Sequence, residues 1–186
     1  MNLKINKILD FWFVETSAEQ KFKKNLKFDQ VIKDKFLSDY ELASQNKLDD
    51  WQGTGRGCLA LIILLDQFSR NLFRESGKAF EQDEKSRSIL LKIIANNFLD
   101  TMNEGERLFA LLPLIHSENI LDHEKAYKLM EKHLRNHSEI EKIKKFWLDH
   151  TAAIKRFARY PHRNKVLNRV SSEDEIEFLN SLNSSW

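Results

Sequence analysis

In a chain of 186 residues, 30 Lys and Arg stand against 28 Asp and Glu. The net charge of +2 excludes a global field able to draw the protein onto nucleic acid or an anionic membrane. Five glycines and two prolines leave few turn positions, and Leu, Ile, Lys, Glu and Phe outweigh Val and Thr, so the composition points to helix over sheet. The single cysteine, Cys58, excludes an internal disulfide and fits a reducing compartment.

Lys4 and Lys7 precede an apolar patch that Asp10 interrupts, and no small-residue cleavage site follows. Ile5, Ile8, Leu9, Trp12 and Phe13 recur at steps of three and four, which predicts a short amphipathic helix. Ser17 and Gln20 form a capping-box pattern, opening a helix expected to bury Phe28, Val31, Ile32, Phe36, Tyr40 and Ala43 and to stop at Asn46. Gly53-Thr54-Gly55-Arg56-Gly57 invites a phosphate-loop reading, but the Walker pattern needs Gly-Lys-Ser/Thr and Gly57 is followed by Cys58. A tight turn capped by Thr54 is the alternative.

Cys58 to Arg74 is the most informative stretch: eight apolar residues run directly into Asp66, Gln67, Arg70, Asn71 and Arg74. A helix apolar on every side belongs in a core, so its last turns carry ionisable groups into or beside that core. A helix burying Ala79, Phe80, Leu90, Ile93, Ile94 and Phe98 is expected next. Thr101 and Glu104 then read as a capping box for RLFALLPLIHSEN, in which Pro113 should kink the helix or end its regular part. A helix through Tyr127, Met130 and Leu134 follows. Ser138 with Glu141 should cap another, whose register runs from Ile140 to Phe157 and whose last residue Pro161 sets at Tyr160. Ser172 and Glu175 open a final short helix carrying Ile176 and Leu179.

This pattern predicts one all-α domain over residues 1–186, about seven or eight helices arranged as a helical bundle or short α-solenoid. No apolar run approaches the roughly 20 residues that span a bilayer. A soluble cytoplasmic protein without a membrane partner is expected.

Asp66, Arg70 and Arg74, four apart, share one face of a continuing helix, while Gln67 and Asn71 share the adjacent face. One carboxylate against two guanidiniums would leave a positive group able to take a carboxylate or phosphate bidentately. The alternative is a structural network in which Asp66 and other acids consume both arginines. His116, Ser117 and Glu118 are sequence neighbours that point to different sides of a helix, which argues against a catalytic triad. His116, Glu118, Asp122 and His123 lack metal-site spacing, so neither metal nor cofactor is expected. RFARYPHRN, Arg156 to Asn164, lies in a stretch without Asp or Glu from His150 through Ser172. Such a block could bind nucleic-acid phosphates, but it is short, and pairing with Asp66, Glu118 or the chain-terminal carboxylate is at least as good a reading.

LDQFSRNLFR, LPLIHSE and RFARYPHRN resemble the LDQFPRN-x-FR, LP-x-x-HSE and RFGR-F/Y-PHRN segments of a bacterial family of unknown function, domain of unknown function 924. The likeness runs from LDFWF near Leu9 to the closing Ser-Ser-aromatic. It implies a tetratricopeptide-like α-α superhelix, although no repeat consensus is legible, and it implies no established activity. The residues it marks are Asp66, Gln67, Arg70, Asn71, Arg74, Arg107, His116, Ser117, Glu118, Arg156, Arg159, Pro161, His162, Arg163 and Asn164. Ser69 stands where the family usually has Pro, Glu75 where Gly is common, and Ala158 where Gly is usual.

The resulting expectation is a pocket where the three segments converge on a small anionic molecule. Arg70, Arg74, Arg159 or Arg163 would hold the anion, with Gln67, Asn71 and Asn164 beside them. Asp66 and Glu118 would orient the arginines, and His116 or His162, with Glu118 as a further catalytic candidate, would supply acid–base chemistry. The alternative is a tetratricopeptide-like module binding a peptide or protein.

Overall fold

The computed structural model describes residues 2–181, and among them all regular structure is helical. None of these helices is long and apolar enough to cross a membrane. The chain divides into two compact units, one of Met1–Arg74 with Lys78–Pro113 and the other of Glu75–Gly77 with Leu114–Trp186.

The first unit opens with α1 (Leu3–Asp10), capped by Asn2 and burying Ile5, Ile8 and Leu9. A π-helical turn over Phe11–Glu15 widens the coil and keeps Phe11 and Trp12 inside. The Ser17–Gln20 capping box forms as its spacing predicts and starts α2 (Ala18–Phe22). The helix opened by Ser17 does not run on to Phe28 as expected: a separate α3 (Leu26–Ser44) begins at the Asn25 cap and ends before Asn46, which turns the chain at φ 63°. Val31 departs from the expected pattern, being 40% exposed.

The Cys58–Arg74 stretch is three coils in series: α4 (Gly55–Ile62), π-helical turns over Ile63–Phe68, and α5 (Ser69–Leu72). Every residue from Cys58 to Asp66 is buried. The glycine cluster is a packing device. A Cβ on Gly57 would stand 2.0 Å from the Trp51 carbonyl oxygen, and Thr54 Oγ1 accepts the Gly57 N–H at 3.1 Å. Trp12, Phe11, Phe36 and Phe68 interlock at centroid spacings of 4.9 to 6.0 Å, and α3 packs along α5 and the π-helical turns.

Residues 77–101 form not one helix but a 3₁₀ turn (Gly77–Phe80), α6 (Asp83–Ala95) and a second 3₁₀ turn (Phe98–Thr101). The cap of α7 (Glu104–Ile115) is Asn103, which trades 3.0 Å hydrogen bonds with Glu106, while Thr101 bonds back to Phe98 O. The helix carries Pro113 inside it and continues to Ile115.

In the second unit, α8 (Ile120–His133) starts at the Asn119 cap and α9 (Ile140–Phe157) packs against it. Ser138 does not cap α9; its start is marked by His137 Nδ1, which accepts the Glu139 N–H at 3.1 Å. Nor does α9 reach Tyr160, because Ala158 takes the left-handed conformation at φ 55° and ends it at Phe157. The Ser172–Glu175 capping box starts α10 (Glu173–Leu179) as expected, although Ile176 is 52% exposed. Ala153, Ile154 and Tyr160 form a small core with Ile120 and Phe178 against it. The Ser-Ser-aromatic close and the terminal carboxylate lie outside the described residues.

Candidate functional site

The LDQFSRN residues sit in the first unit, where the fold brings acids that no local spacing announces. Asp66 is fully buried; Gln67 Nε2 donates to its Oδ2 at 2.6 Å and Arg70 Nη2 approaches its Oδ1 at 3.4 Å. The stronger partner of Arg70 is Asp83, 2.8 Å away, and the guanidinium also donates to Ser69 Oγ and the Ala79 carbonyl and lies 4.5 Å from the Phe80 ring centre. Arg74 grips Asp29 with two 2.7 Å bonds, and Asn71 Nδ2 donates to the same carboxylate at 2.8 Å. Two guanidiniums therefore meet three carboxylates, Asp29, Asp66 and Asp83.

The segment from His116 to Glu118 and the RFARYPHRN segment lie in the second unit. Glu118 is clasped by both Arg169 Nη groups at 2.6 and 2.9 Å and by the Tyr160 N–H at 2.8 Å. Burial would raise its pKa, but the Arg169 and Tyr160 hydrogen bonds with the Arg169 and Arg163 charges outweigh that and hold it below the usual carboxylate value. Arg159 is held by Glu175 through 2.6 and 2.7 Å bonds, which, against partial desolvation, push the Glu175 pKa down to about 2. Arg159 and Arg169 thus turn toward Glu175 and Glu118, while Lys155, Arg156 and Lys165 stay exposed.

What remains is a histidine cluster around Tyr160. Four of the six histidines contribute: His150 and His162 have ring centres 5.7 and 5.4 Å from Tyr160, His123 is at 6.4 Å, and His116 is 6.5 Å from His150. Arg163, 6% exposed, lays its guanidinium 4.6 Å from the Tyr160 ring centre. Tyr160, fully buried, donates its hydroxyl to Ile115 O.

Partner chemistry fixes the tautomers of two imidazoles. His150 Nδ1 faces the Phe146 carbonyl at 2.8 Å and must carry its hydrogen there. Burial first, then the neighbouring His116, His162 and His123, lower its pKa to about 2, so His150 is neutral and its Nε2 is an acceptor. His123 Nε2 donates to Ser117 O at 2.9 Å, and burial holds this imidazole below the ordinary histidine pKa despite that bond. Its Nδ1 then accepts from Thr151, whose single hydroxyl hydrogen has two acceptors in reach, His123 Nδ1 at 2.9 Å and Trp147 O at 2.8 Å. Tyr127, 3.1 Å from Thr151 Oγ1, can donate to that oxygen. His116, His162 and Glu118 keep some exposure, whereas Asn164 is 1% exposed and donates to Ser171 Oγ at 3.0 Å.

Local spacing did not reveal Asp29, Asp83, His150 or Tyr160 as members of these clusters. Asp83 meets Arg70 across 13 residues and Asp29 meets Arg74 across 45. The four histidines were visible individually, and only His123 stood near His116. No group of His, Cys, Asp or Glu suited to hold a metal ion forms among the described residues.

The family model for a bacterial protein of unknown function, DUF924, matches residues 8–183. The chain belongs to this family. It is also similar to a solved structure of a protein of unknown function, ATU0120, from Agrobacterium tumefaciens, with 29% sequence identity and a TM-score of 0.85 over 95% of this chain and 97% of that one. No curated protein matches.

The departures from the DUF924 pattern now have a backbone explanation. Glu75 at φ 64° and Ala158 at φ 55° occupy left-handed positions, which is where glycine is favoured. Ser69 opens α5 with φ −55°, the angle a proline ring would impose at a first helical position. Glycine would relieve the left-handed backbone at Glu75 and Ala158, whereas Ser69 lies inside the continuous helical run from Gly55 to Leu72.

Proposed function

We propose that the histidine–arginine cluster of the second unit binds a small anion, a carboxylate or phosphate, with His116 and His162 as its proton-carrying groups. The observation that carries this reading is the gathering of three imidazoles and the buried Arg163 around Tyr160, with His116 beside His150. Arg163 would hold the anion, with Asn164 beside it. Glu118, ionised and clasped by Arg169, positions the Tyr160 backbone rather than exchanging protons. His150 and His123, kept neutral by burial, would act as fixed hydrogen-bonding groups behind the two outer imidazoles.

In this reading Asp66, Gln67, Arg70, Asn71, Arg74 and Arg159 hold the framework through the ion pairs described above. Acid–base catalysis would follow if the bound anion carried a transferable proton. The tetratricopeptide-like superhelix and its peptide- or protein-binding alternative rest on fold analogy, a weaker warrant than a side-chain constellation.

Calorimetric titration of the full chain with phosphate and with citrate tests the proposal. Saturable binding that weakens at least about tenfold in Arg163→Gln, the scale of a lost charge-assisted hydrogen bond, is expected. Unchanged binding in Arg163→Gln, or no saturation with either anion, would refute it.

A further inference from the structure

Lys21, in α2 of the first unit, is a cation among ring faces. Its ammonium lies 5.8 Å from the ring centre of Trp12 and 5.9 Å from those of Phe13 and Phe109. Phe22 stacks on Phe109 at 6.2 Å and is itself 64% exposed, with Leu26 and Val14 exposed at 69% and 78%. The neighbouring acids are engaged elsewhere: Glu19 pairs with Lys23 at 2.9 Å and Glu15 with Lys35 at 3.6 Å. Among the described residues Lys21 meets three aromatic faces and no carboxylate.

Ring faces stabilise an ammonium weakly compared with a carboxylate, and they do so beside an apolar surface open to solvent. Burial also pushes the Lys21 pKa below the usual lysine value, the signature of an amine that has lost water without gaining an anion. The missing element is a negative charge attached to an apolar body.

We propose that Lys21, Phe13, Phe22 and Leu26 form a binding site for a small apolar monocarboxylate, of medium-chain alkyl or aryl type. The carboxylate pairs with the Lys21 ammonium and the hydrocarbon lies along Phe22 and Leu26. A protein partner fits less well, since three exposed apolar side chains fall far short of the roughly 800 Å² per partner of a stable interface. A bilayer surface fits less well too, because α2 has only five residues and presents no extended apolar face.

The test is calorimetry on the full chain with decanoate below its micellar concentration, with decanol as the neutral control. Decanoate should saturate at one equivalent, and decanol on the wild-type chain, or decanoate on Lys21→Met, should bind about tenfold more weakly. Phe22→Ser, at a position 64% exposed, should also weaken decanoate. Arg163→Gln should leave it unchanged, which separates this site from the second-unit cluster. Equal affinity for decanol and decanoate, or loss in Arg163→Gln with retention in Lys21→Met, would overturn the proposal. So would capture by phosphatidylglycerol vesicles without saturable decanoate binding.

Discussion

The arginines of the first unit and the histidines of the second are both polar groups set against apolar helices, yet they are resolved in opposite ways. Arg70 and Arg74 meet Asp66, Asp83 and Asp29 at hydrogen-bonding distance, so their charge is balanced inside the unit. The histidines face one another, Tyr160 and backbone carbonyls. A charge matched by an opposite charge holds helices together. Imidazoles packed against each other have their protonation set by burial and neighbours, which is the condition a proton-carrying site needs.

The largest effect that would sharpen this contrast is Arg70→Leu. The substitution takes away the guanidinium that the buried Asp66 and the nearby Asp83 share, and a stability loss of about 3 kcal/mol or more is expected in urea unfolding. A loss below about 1 kcal/mol would mean that the arginine does not hold the framework. In the second unit, Tyr160→Phe leaves the Ile115 carbonyl without its hydroxyl donor and should cost about 1–2 kcal/mol while keeping the ring that Arg163 covers.

The second unit should carry its own pH dependence. His150 has its pKa lowered from 6.5 to about 2, so the folded state binds fewer protons than the unfolded one. Its contribution is therefore fully present above pH 6.5 and is lost as pH falls toward 2, with a slope approaching about 1.4 kcal/mol per pH unit. His150→Phe should flatten the loss between pH 6.5 and 5 in thermal unfolding. Glu175, lowered from 4.5 to about 2, adds a second loss as pH falls below 4.5, which Glu175→Gln should remove. The smallest change expected is a gain: Ala158→Gly should stabilise by about 1 kcal/mol or less, because the left-handed backbone there costs any residue with a Cβ.

Much of the scaffold was legible because its determinants are local. The Ser17–Gln20 and Ser172–Glu175 boxes and the Thr54 cap are decided within four residues, and the three family segments carried the membership. Errors arose where two local signals competed. Asn103 displaced Thr101 as the α7 cap, and Ala158 turned the chain before Pro161 could end α9. The partner of Arg74 was illegible for a different reason, since Asp29 reaches it across 45 residues; pairing of the basic block with Glu118, which Arg169 makes across 51 residues, was one of the readings the sequence offered. Helical spacing places a residue on a face, but tertiary packing chooses what that face meets.

The histidine cluster can be tested most directly by following the imidazole resonances of the full chain while phosphate is added. Saturable shifts at His116 and His162, coincident in midpoint and abolished in Arg163→Gln, are the predicted result. Unmoved His116 and His162 resonances, or shifts that persist unchanged in Arg163→Gln, would contradict the assignment of this cluster as the anion site.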